Sequence, residues 1–348
     1  MSKFKVFATD ITWPDLEIEK SILKDIDAEV ILSNGGSPEE ICKQGEDADA
    51  IMALFTPMNR KNLSYFKNAK ILLRTGIGTN SVDLDAATDM GIIVCNVPDY
   101  CQEEVADHTI ALFLDITRKT VELVNQTRAG GWDMSIADPV PRYRNKVFAL
   151  AGCGGIGRMV ANRLHPFGIK VIGYDPYLPE EVFEKNGIIR YDDLDKLFAD
   201  ADFVSLHMPL TPESTNLVNE RTLSLMKPTA YLINTARGPM VDEEALYNAC
   251  QQKKIAGAAL DVTIAEPPAG HTRFLEKPKL ASLSNVIITP HAAWNSEDAI
   301  PELRVKVASE IRRFLVGEKP LNVVNKSVLE KFNFQTRVCN KDVPCNIN

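Results

Sequence analysis

The chain has 348 residues, 45% hydrophobic and 25% charged, which is ordinary globular usage and enough to bury a large core without a disulfide or metal staple. A net charge of -8, from 39 basic and 47 acidic side chains, argues against a nucleic-acid binder with a basic face. No run of about 18 apolar residues is present to cross a membrane, and at roughly 150 residues per domain the length suggests two domains. The opening MSKFKVFATD lacks the apolar core of a secretion signal. Seven cysteines without C-x-x-C spacing read as reduced thiols of a cytoplasmic protein, and the absence of HExxH and EF-hand loops gives a metal no support.

Short apolar runs alternate with amphipathic ones, the pattern of an α/β chain with parallel strands joined by helices. Strands are expected at residues 5–8, 29–32, 50–55, 71–74 and 92–95, with helical patterns between several of them, such as 15–25. That rhythm suits a flavodoxin-like sheet. One long helix is expected over 103–129, with Val105, Ile110, Leu112, Phe113, Ile116 and Val124 on its apolar side and Gly130-Gly131-Trp132 as its stop. It reads as a core helix, and its length also allows a subunit or inter-domain contact. A second series of strands follows at 147–151, 171–174, 203–206, 231–234, 257–261 and 286–289, the size of a complete dinucleotide-binding sheet. A last amphipathic helix, 301–316, carries Arg304, Lys306, Arg312 and Arg313, which read as a solvated face. The final 20 or so residues, with Cys339 and Cys345, show weak periodicity and are expected to be loosely held.

The first chemical signal is Gly152-x-Gly154-x-x-Gly157, directly after a strand and before a helical run. Gly152 permits the tight turn, Gly154 lets backbone approach a pyrophosphate, and Gly157 lets helix and strand pack closely. The helix N-terminus adds free N–H groups and partial positive charge for the phosphates. Asp175 ends the next strand, 18 residues beyond Gly157, where an acid would bind the ribose hydroxyls. It would repel a 2′-phosphate, so NAD is expected over NADP.

Three polar residues follow three later strands: Arg237 in NTARG, Glu266 in DVTIAEPP and His291 in TPHAAW. All belong at the carboxyl edge of the sheet, where open α/β folds bind ligands. Hydride transfer to a 2-oxo acid leaves charge on the carbonyl oxygen. A protonated His291 can donate to that oxygen and act as base in reverse. Glu266 beside it would favour imidazolium, orient it and raise its pKa. Arg237 can clamp a carboxylate through two parallel hydrogen bonds. Taken singly, each residue also reads as structural. Arg237 reads as a surface ion pair, Glu266 as a loop former and His291 as a core histidine, so the argument rests on their joint position. His108, His165, His207 and His271 are weaker acid/base candidates. The His207 loop, at the end of its own strand, more naturally lines the cofactor pocket.

Arg74-Thr-Gly76-Ile77-Gly78 closes an apolar strand of the first domain. Its glycines would turn backbone N–H groups to an anion, with Arg74 adding charge. A substrate carboxylate is the natural guest, and a turn without a ligand is the alternative.

These motifs in this order identify the chain as resembling the D-isomer-specific 2-hydroxyacid dehydrogenase family over about residues 4–325. The matching pieces are RTGIGTNSVD, CNVPDY, EEVADHTIAL, AGCGGIG, YDPY, LHMPLTPES, LINTARGPMVDE, GAALDV, EPP and TPHAAW. TPHAAWNSE, EIRRFLVGEKP and VVNK look most like the C-terminal-binding-protein branch. The resemblance implies an α/β fold of two Rossmann-like or flavodoxin-like domains. A split substrate domain, 1–101 with 297–325, would receive the NAD-binding domain, 102–296, as an insertion, leaving 326–348 as a tail. It implies a cleft that closes on substrate and a homodimer built on the nucleotide domains. By motif position Arg237, Glu266 and His291 take the catalytic places, and Arg74, Gly76, Ile77 and Gly78 the substrate-carboxylate loop. Gly152, Gly154, Gly155, Ile156, Gly157, Arg158, Asp175, His207, Met208, Pro209, Thr235, Ala236 and Asp261 take cofactor places. Trp294 matches a position beside the substrate side chain, where it would favour an apolar or aromatic group. The expected partner is a small 2-oxo or 2-hydroxy acid. The branch also contains NAD(H)-sensing corepressors, an alternative role, and a smaller anion such as phosphite or formate is a third. Asp99-Tyr100-Cys101 departs from the corepressor pattern.

Overall fold

A computed structural model describes residues 3–267, 272–332 and 334. Pro268, His271, Cys339 and Cys345 lie outside the described residues. The chain divides into two compact units, Met1–Tyr100 with Glu297–Asn348, and Cys101–Ser296. No helix among the described residues is long and apolar enough to cross a membrane.

The first unit opens with β1 (Phe4–Ala8), α1 (Glu17–Leu23), β2 (Ala28–Leu32), α2 (Pro38–Gln44), β3 (Ala50–Ala53), α3 (Arg60–Leu63), β4 (Ile71–Arg74), α4 (Leu84–Asp89) and β5 (Ile93–Cys95). Its strands are all parallel in the order β2-β1-β3-β4-β5, the flavodoxin-like arrangement. β3 and β5 are buried at every residue, because a parallel sheet covered on both faces needs continuous apolar runs. β3 stops two residues earlier than its apolar run. The N–H groups of Leu54, Phe55 and Thr56 turn instead to the Asp10 carboxylate, at 3.3, 2.7 and 3.4 Å. α2 starts with a reciprocal Ser37–Glu40 cap and Pro38 in its first turn.

The second unit begins with α5 (Gln102–Arg118) and α6 (Thr120–Arg128), where one helix was expected. The break is at Lys119, whose φ of 57° is left-handed. Lys119 still donates its N–H to Asp115 O, and Thr120 Oγ1 bonds the Asp115 carboxylate. α5 buries Val105, Ala106, Leu112, Phe113 and Ile116 against the sheet, whereas α6 buries nothing. Once the helix has no core to cover, packing no longer enforces its straight continuation.

There follow β6 (Val147–Ala151), α7 (Gly155–Leu164), β7 (Lys170–Tyr174), α8 (Glu180–Lys185), β8 (Ile189–Arg190), α9 (Leu194–Asp200), β9 (Phe203–Leu206), α10 (Glu220–Leu225), β10 (Tyr231–Asn234), α11 (Glu243–Gln251), β11 (Gly257–Leu260) and β12 (Val286–Ile288). The sheet is parallel throughout, β12-β11-β10-β9-β6-β7-β8, with seven strands rather than six. The extra one, β8, is a two-residue edge strand with Ile189 exposed, too short to show a period. Alternate strand residues feed two cores. Ala149, Val204, Leu232 and Ala258 face one; Phe148, Phe203, Ile233 and Ala259 face the other, with Phe113 of α5. Phe113 meets Phe148 and Phe203 edge-on at 5.4 and 4.8 Å, a geometry that adds ~1 kcal/mol per pair beyond burial.

The chain then returns to the first unit as α12 (Ala299–Leu315), which packs on α1 and β4. Arg304 of α12 is buried, contrary to the solvated face expected for it. Its Nε and Nη2 donate to the two oxygens of Glu19 at 2.9 and 2.8 Å, and Nη2 also reaches Asp15 Oδ1 at 2.9 Å. The Trp13 ring centroid lies 5.5 Å from its Cζ. Lys306 pairs with Asp99 and Glu302, and Arg312 with Asp25. At the start of the tail, residues 326–331 form a short 3-10 turn with Val328 buried, and Lys331 Nζ donates to Thr88 O at 2.6 Å.

Candidate active site

The nucleotide loop is built as its glycines demand. Gly152, at φ 101°, leaves β6 with its N–H on Tyr174 O, and a Cβ there would lie 2.7 Å from His207 backbone. A Cβ on Gly157 would meet Gly152 O at 2.4 Å, so helix and turn touch. At Gly154, the N-cap of α7, a Cβ would meet nothing within 4 Å; this is open backbone at a helix N-terminus, the feature a pyrophosphate needs. Gly155, Ile156 and Arg158 follow in the first turn, and a Cβ on Gly155 would strike Gln102 Oε1, which leans over that turn. Asp175, just past β7, accepts Cys153 N–H at 3.0 Å and Tyr177 N–H at 3.1 Å, which points each oxygen while leaving further lone pairs for ribose hydroxyls. These residues fit a dinucleotide.

His207 leaves β9 beside this loop, with Met208 and Pro209 after it. Its Nε2 lies 2.9 Å from Ser205 Oγ, and burial pushes its pKa down to about 4. A neutral imidazole suits a pocket wall rather than a proton donor at neutral pH.

Strand register sets the other loops side by side. Asn234 pairs with Leu206 and with Leu260, and Leu260 with Ile288, so Thr235, Asp261 and Thr289 emerge in one row. After β10, the buried Asn234 side chain accepts Ala236 N–H and donates to Arg237 O, both at 2.9 Å. Arg237 Nη1 donates to Ala236 O at 2.6 Å. A Cβ on Gly238 would lie 2.4 Å from Thr263 C, so the Arg237 loop sits directly on the turn that carries Glu266. Glu266 Oε1 accepts Thr263 N–H, and its Oε2 is 2.9 Å from His291 Nδ1. With Nδ1 on the carboxylate, Nε2 is the ring nitrogen open to exchange a proton. His291 itself has φ 51°, held by its N–H on Asp261 O and Thr289 O at 2.8 and 3.0 Å. Trp294 stands half-buried three residues on.

Residues 110–293, more than half of the chain, match the family model described as D-isomer specific 2-hydroxyacid dehydrogenase, NAD binding domain. The chain belongs to this family. It is 37% identical to the D-3-phosphoglycerate dehydrogenase of Methanocaldococcus jannaschii over 92% of this chain and 59% of that protein. It is likewise 37% identical to that of Synechocystis sp. over 87% and 53%. The chain thus spans little more than half the length of these curated relatives. Among solved structures it resembles D-lactate dehydrogenase from Aquifex aeolicus complexed with NAD and lactic acid, with 28% identity, TM-score 0.79, and 95% of this chain and 98% of that one covered. NAD is the cofactor of the matched domain.

Three of the candidates play parts that their sequence context hid. Asp261 is 1% exposed. Its Oδ1 accepts Thr289 Oγ1–H at 2.5 Å and Ala292 N–H at 2.9 Å, and its Oδ2 accepts Ala293 N–H at 2.9 Å. Burial raises its pKa, but the hydrogen bonds from His108, Thr289, Ala293 and Ala292 outweigh that and leave it below the usual carboxylate value. Thr235 is buried with its hydroxyl 2.9 Å from Thr109 Oγ1 of α5. In the first unit, Gly76 gives its N–H to Arg74 O, and at φ 145° a Cβ would overlap Arg74 Nη1 at 1.7 Å. Gly76 therefore serves by lacking a side chain. Residues missed from sequence are Asn234, Gly238, Thr289, Thr109 and Gln102. Only Asn234, a buried amide ending an apolar strand, carried a local signal. Among the described residues no cluster of three or more His, Cys, Asp or Glu side chains is placed to hold a metal.

Proposed function

We propose that the chain is an NAD-dependent oxidoreductase that interconverts a small 2-oxo acid and its D-2-hydroxy acid. The observation that carries this is the 2.9 Å contact between His291 Nδ1 and Glu266 Oε2 beside the Arg237 loop, in a domain built for NAD. The dinucleotide would rest on Gly152, Gly154, Gly155, Ile156, Gly157 and Arg158. Asp175 would take the ribose, and His207, Met208, Pro209, Thr235, Ala236 and Asp261 would line the remaining wall. NAD supplies the hydride acceptor or donor when bound. Arg237 clamps the substrate carboxylate and fixes the carbonyl. In reduction His291 Nε2 delivers its proton to the carbonyl oxygen; in oxidation it removes the hydroxyl proton. Glu266 holds the imidazole in line and stabilises its charged form. Arg74 with the Ile77 and Gly78 amides offers a second anion cradle, and Trp294 favours an apolar substrate side chain.

A homodimer through the second unit is part of the same reading. It is supported by the apolar residues that α6 and the following segment leave exposed: Val121, Val124, Ile136, Met134 and Trp132, the last 94% exposed. The corepressor alternative rests on TPHAAW and EIRR alone, and the paired Glu266 and His291 favour catalysis.

The test is NADH consumption with a panel of 2-oxo acids, alongside direct NADH binding. Turnover of at least one acid is expected, and His291→Ala should reduce it on the order of a hundredfold or more. Tight NADH binding with no turnover across the panel would sink the enzymatic reading.

A further inference from the structure

The acid/base histidine sits on a backbone turn that does not hold itself. His291 is in left-handed φ, a conformation costly for a residue with a Cβ, so surrounding contacts must impose it. Those contacts run through Asp261 and Thr289 to α5. His108 Nε2 is 3.1 Å from Thr289 Oγ1 and 3.5 Å from Asp261 Oδ1. A threonine hydroxyl has one hydrogen, and that of Thr289 is directed to Asp261 Oδ1 at 2.5 Å. His108 must therefore be the donor to Thr289, which fixes its proton on Nε2.

The result is a directed chain. His108 Nε2–H meets Thr289 Oγ1, whose O–H meets Asp261, whose two oxygens take the N–H groups of Ala292 and Ala293. The same helix ties two neighbouring segments. Glu104, one turn before His108, accepts Ser296 Oγ–H at 2.8 Å, and Thr109 bonds Thr235. α5 thus braces both ends of the segment bearing His291 and the start of the loop bearing Arg237.

We propose that His108 is a positioning residue for His291. Acting through Thr289 and Asp261, it holds the turn of residues 289–293 in the one shape that presents the imidazole to substrate. This rests on the dehydrogenase reading for its consequence in turnover, but its structural half stands apart. Among the described residues no hydrogen bond or ion pair joins His108 to Glu266 or His291, and its contribution is the donor at Nε2, so a side chain of similar reach with an amide N–H should replace it.

The experiment compares His108→Leu, which keeps bulk and loses the donor, with His108→Gln, which keeps a donor. Amide hydrogen exchange at Ala292 and Ala293 is measured first, in the full chain without cofactor. His108→Leu should exchange there roughly tenfold faster than the parent, and His108→Gln at close to the parent rate. In turnover, kcat should fall about tenfold in His108→Leu and recover to within about threefold in His108→Gln, with KM for NADH unchanged in both. Parent-like exchange in His108→Leu overturns the proposal, as does equal damage in both variants or faster exchange with undiminished kcat. If the parent itself turns over no 2-oxo acid, the dehydrogenase reading fails, and the exchange comparison alone decides whether His108 holds the turn.

Discussion

Each unit buries a carboxylate, Glu19 at 0% exposure in the first and Asp261 at 1% in the second, and the two are partnered by different means. Both Glu19 oxygens go to one guanidinium, that of Arg304, with Asp15 as a second acceptor and Trp13 against its face. Asp261 is held by dipoles: a hydroxyl, two backbone N–H groups and a nearby imidazole. An ion pair cancels charge and joins the two helices that carry it, so it fastens α12 to α1 where the chain re-enters its first unit. A dipole-held carboxylate keeps its charge and dictates the shape of whatever supplies the dipoles. The first arrangement builds a clasp, the second a template for a loop. The molecule puts the template against the turn that carries His291.

The sharpest break of this contrast is in the clasp. Glu19→Leu leaves Arg304 buried with only Asp15, which is itself largely exposed. Removing one partner of a buried pair costs about 3–5 kcal/mol, because the remaining charge stays desolvated. Urea unfolding should show that loss, while Glu19→Leu with Arg304→Met should regain most of it. A single variant within about 1 kcal/mol of the parent would mean the pair behaves like an exposed one and the clasp is not what secures α12.

A smaller effect is expected at the template. In Asp261→Asn an amide N–H replaces the oxygen that accepts Ala293 N–H, so two donors face each other. The expected loss of stability is about 1–3 kcal/mol. Turnover should fall on the order of tenfold to a hundredfold, because the His291 turn loses its anchor. Glu19→Leu, assayed where it remains folded, should keep its kcat. Equal loss of kcat in both would erase the distinction between clasp and template.

The same contrast explains what could be read from the sequence. Gly152, Gly154, Gly157 and Asp175 obey a local rule in which each residue type answers a demand of its own turn, and Arg237, Glu266 and His291 were legible because each follows an apolar strand. Arg304 was not separated from Lys306, Arg312 and Arg313, although it stands one turn after Ile300 and one before Ala308, on the buried side of α12. Its partner Glu19 is 285 residues away, and nothing local announces it. His108 is hidden in the same way, since Thr289 lies 181 residues on and only the register of β10, β11 and β12 brings α5 to it. The turn at Lys119 left no mark either, because the apolar spacing runs on through Val121 and Val124 after the core has ended. What was missed depends on tertiary neighbours and not on the period of any one segment.

The smallest effect distinguishes the two centres by acid. The Asp261 carboxyl is held below its ordinary 3.8, so as pH falls the unfolded chain takes up that proton before the native one does. Its stabilisation is therefore complete above about pH 4 and is lost as pH drops through the lowered native value. His207 acts in a separate and higher window. Burial lowers it from 6.5 to about 4, so the native state again binds fewer protons and stability declines between those values. Unfolding midpoints in urea, followed from pH 7 downward, should first show the His207 slope, which His207→Gln removes. Below about pH 4 a second slope should remain in His207→Gln and become shallower when Asp261→Asn is added, the remainder belonging to other carboxyls held low by their partners, such as Glu39 beside Lys61. If that addition leaves the second slope undiminished, the proton is taken up entirely elsewhere, and the neutral dipoles around Asp261 do not hold its charge.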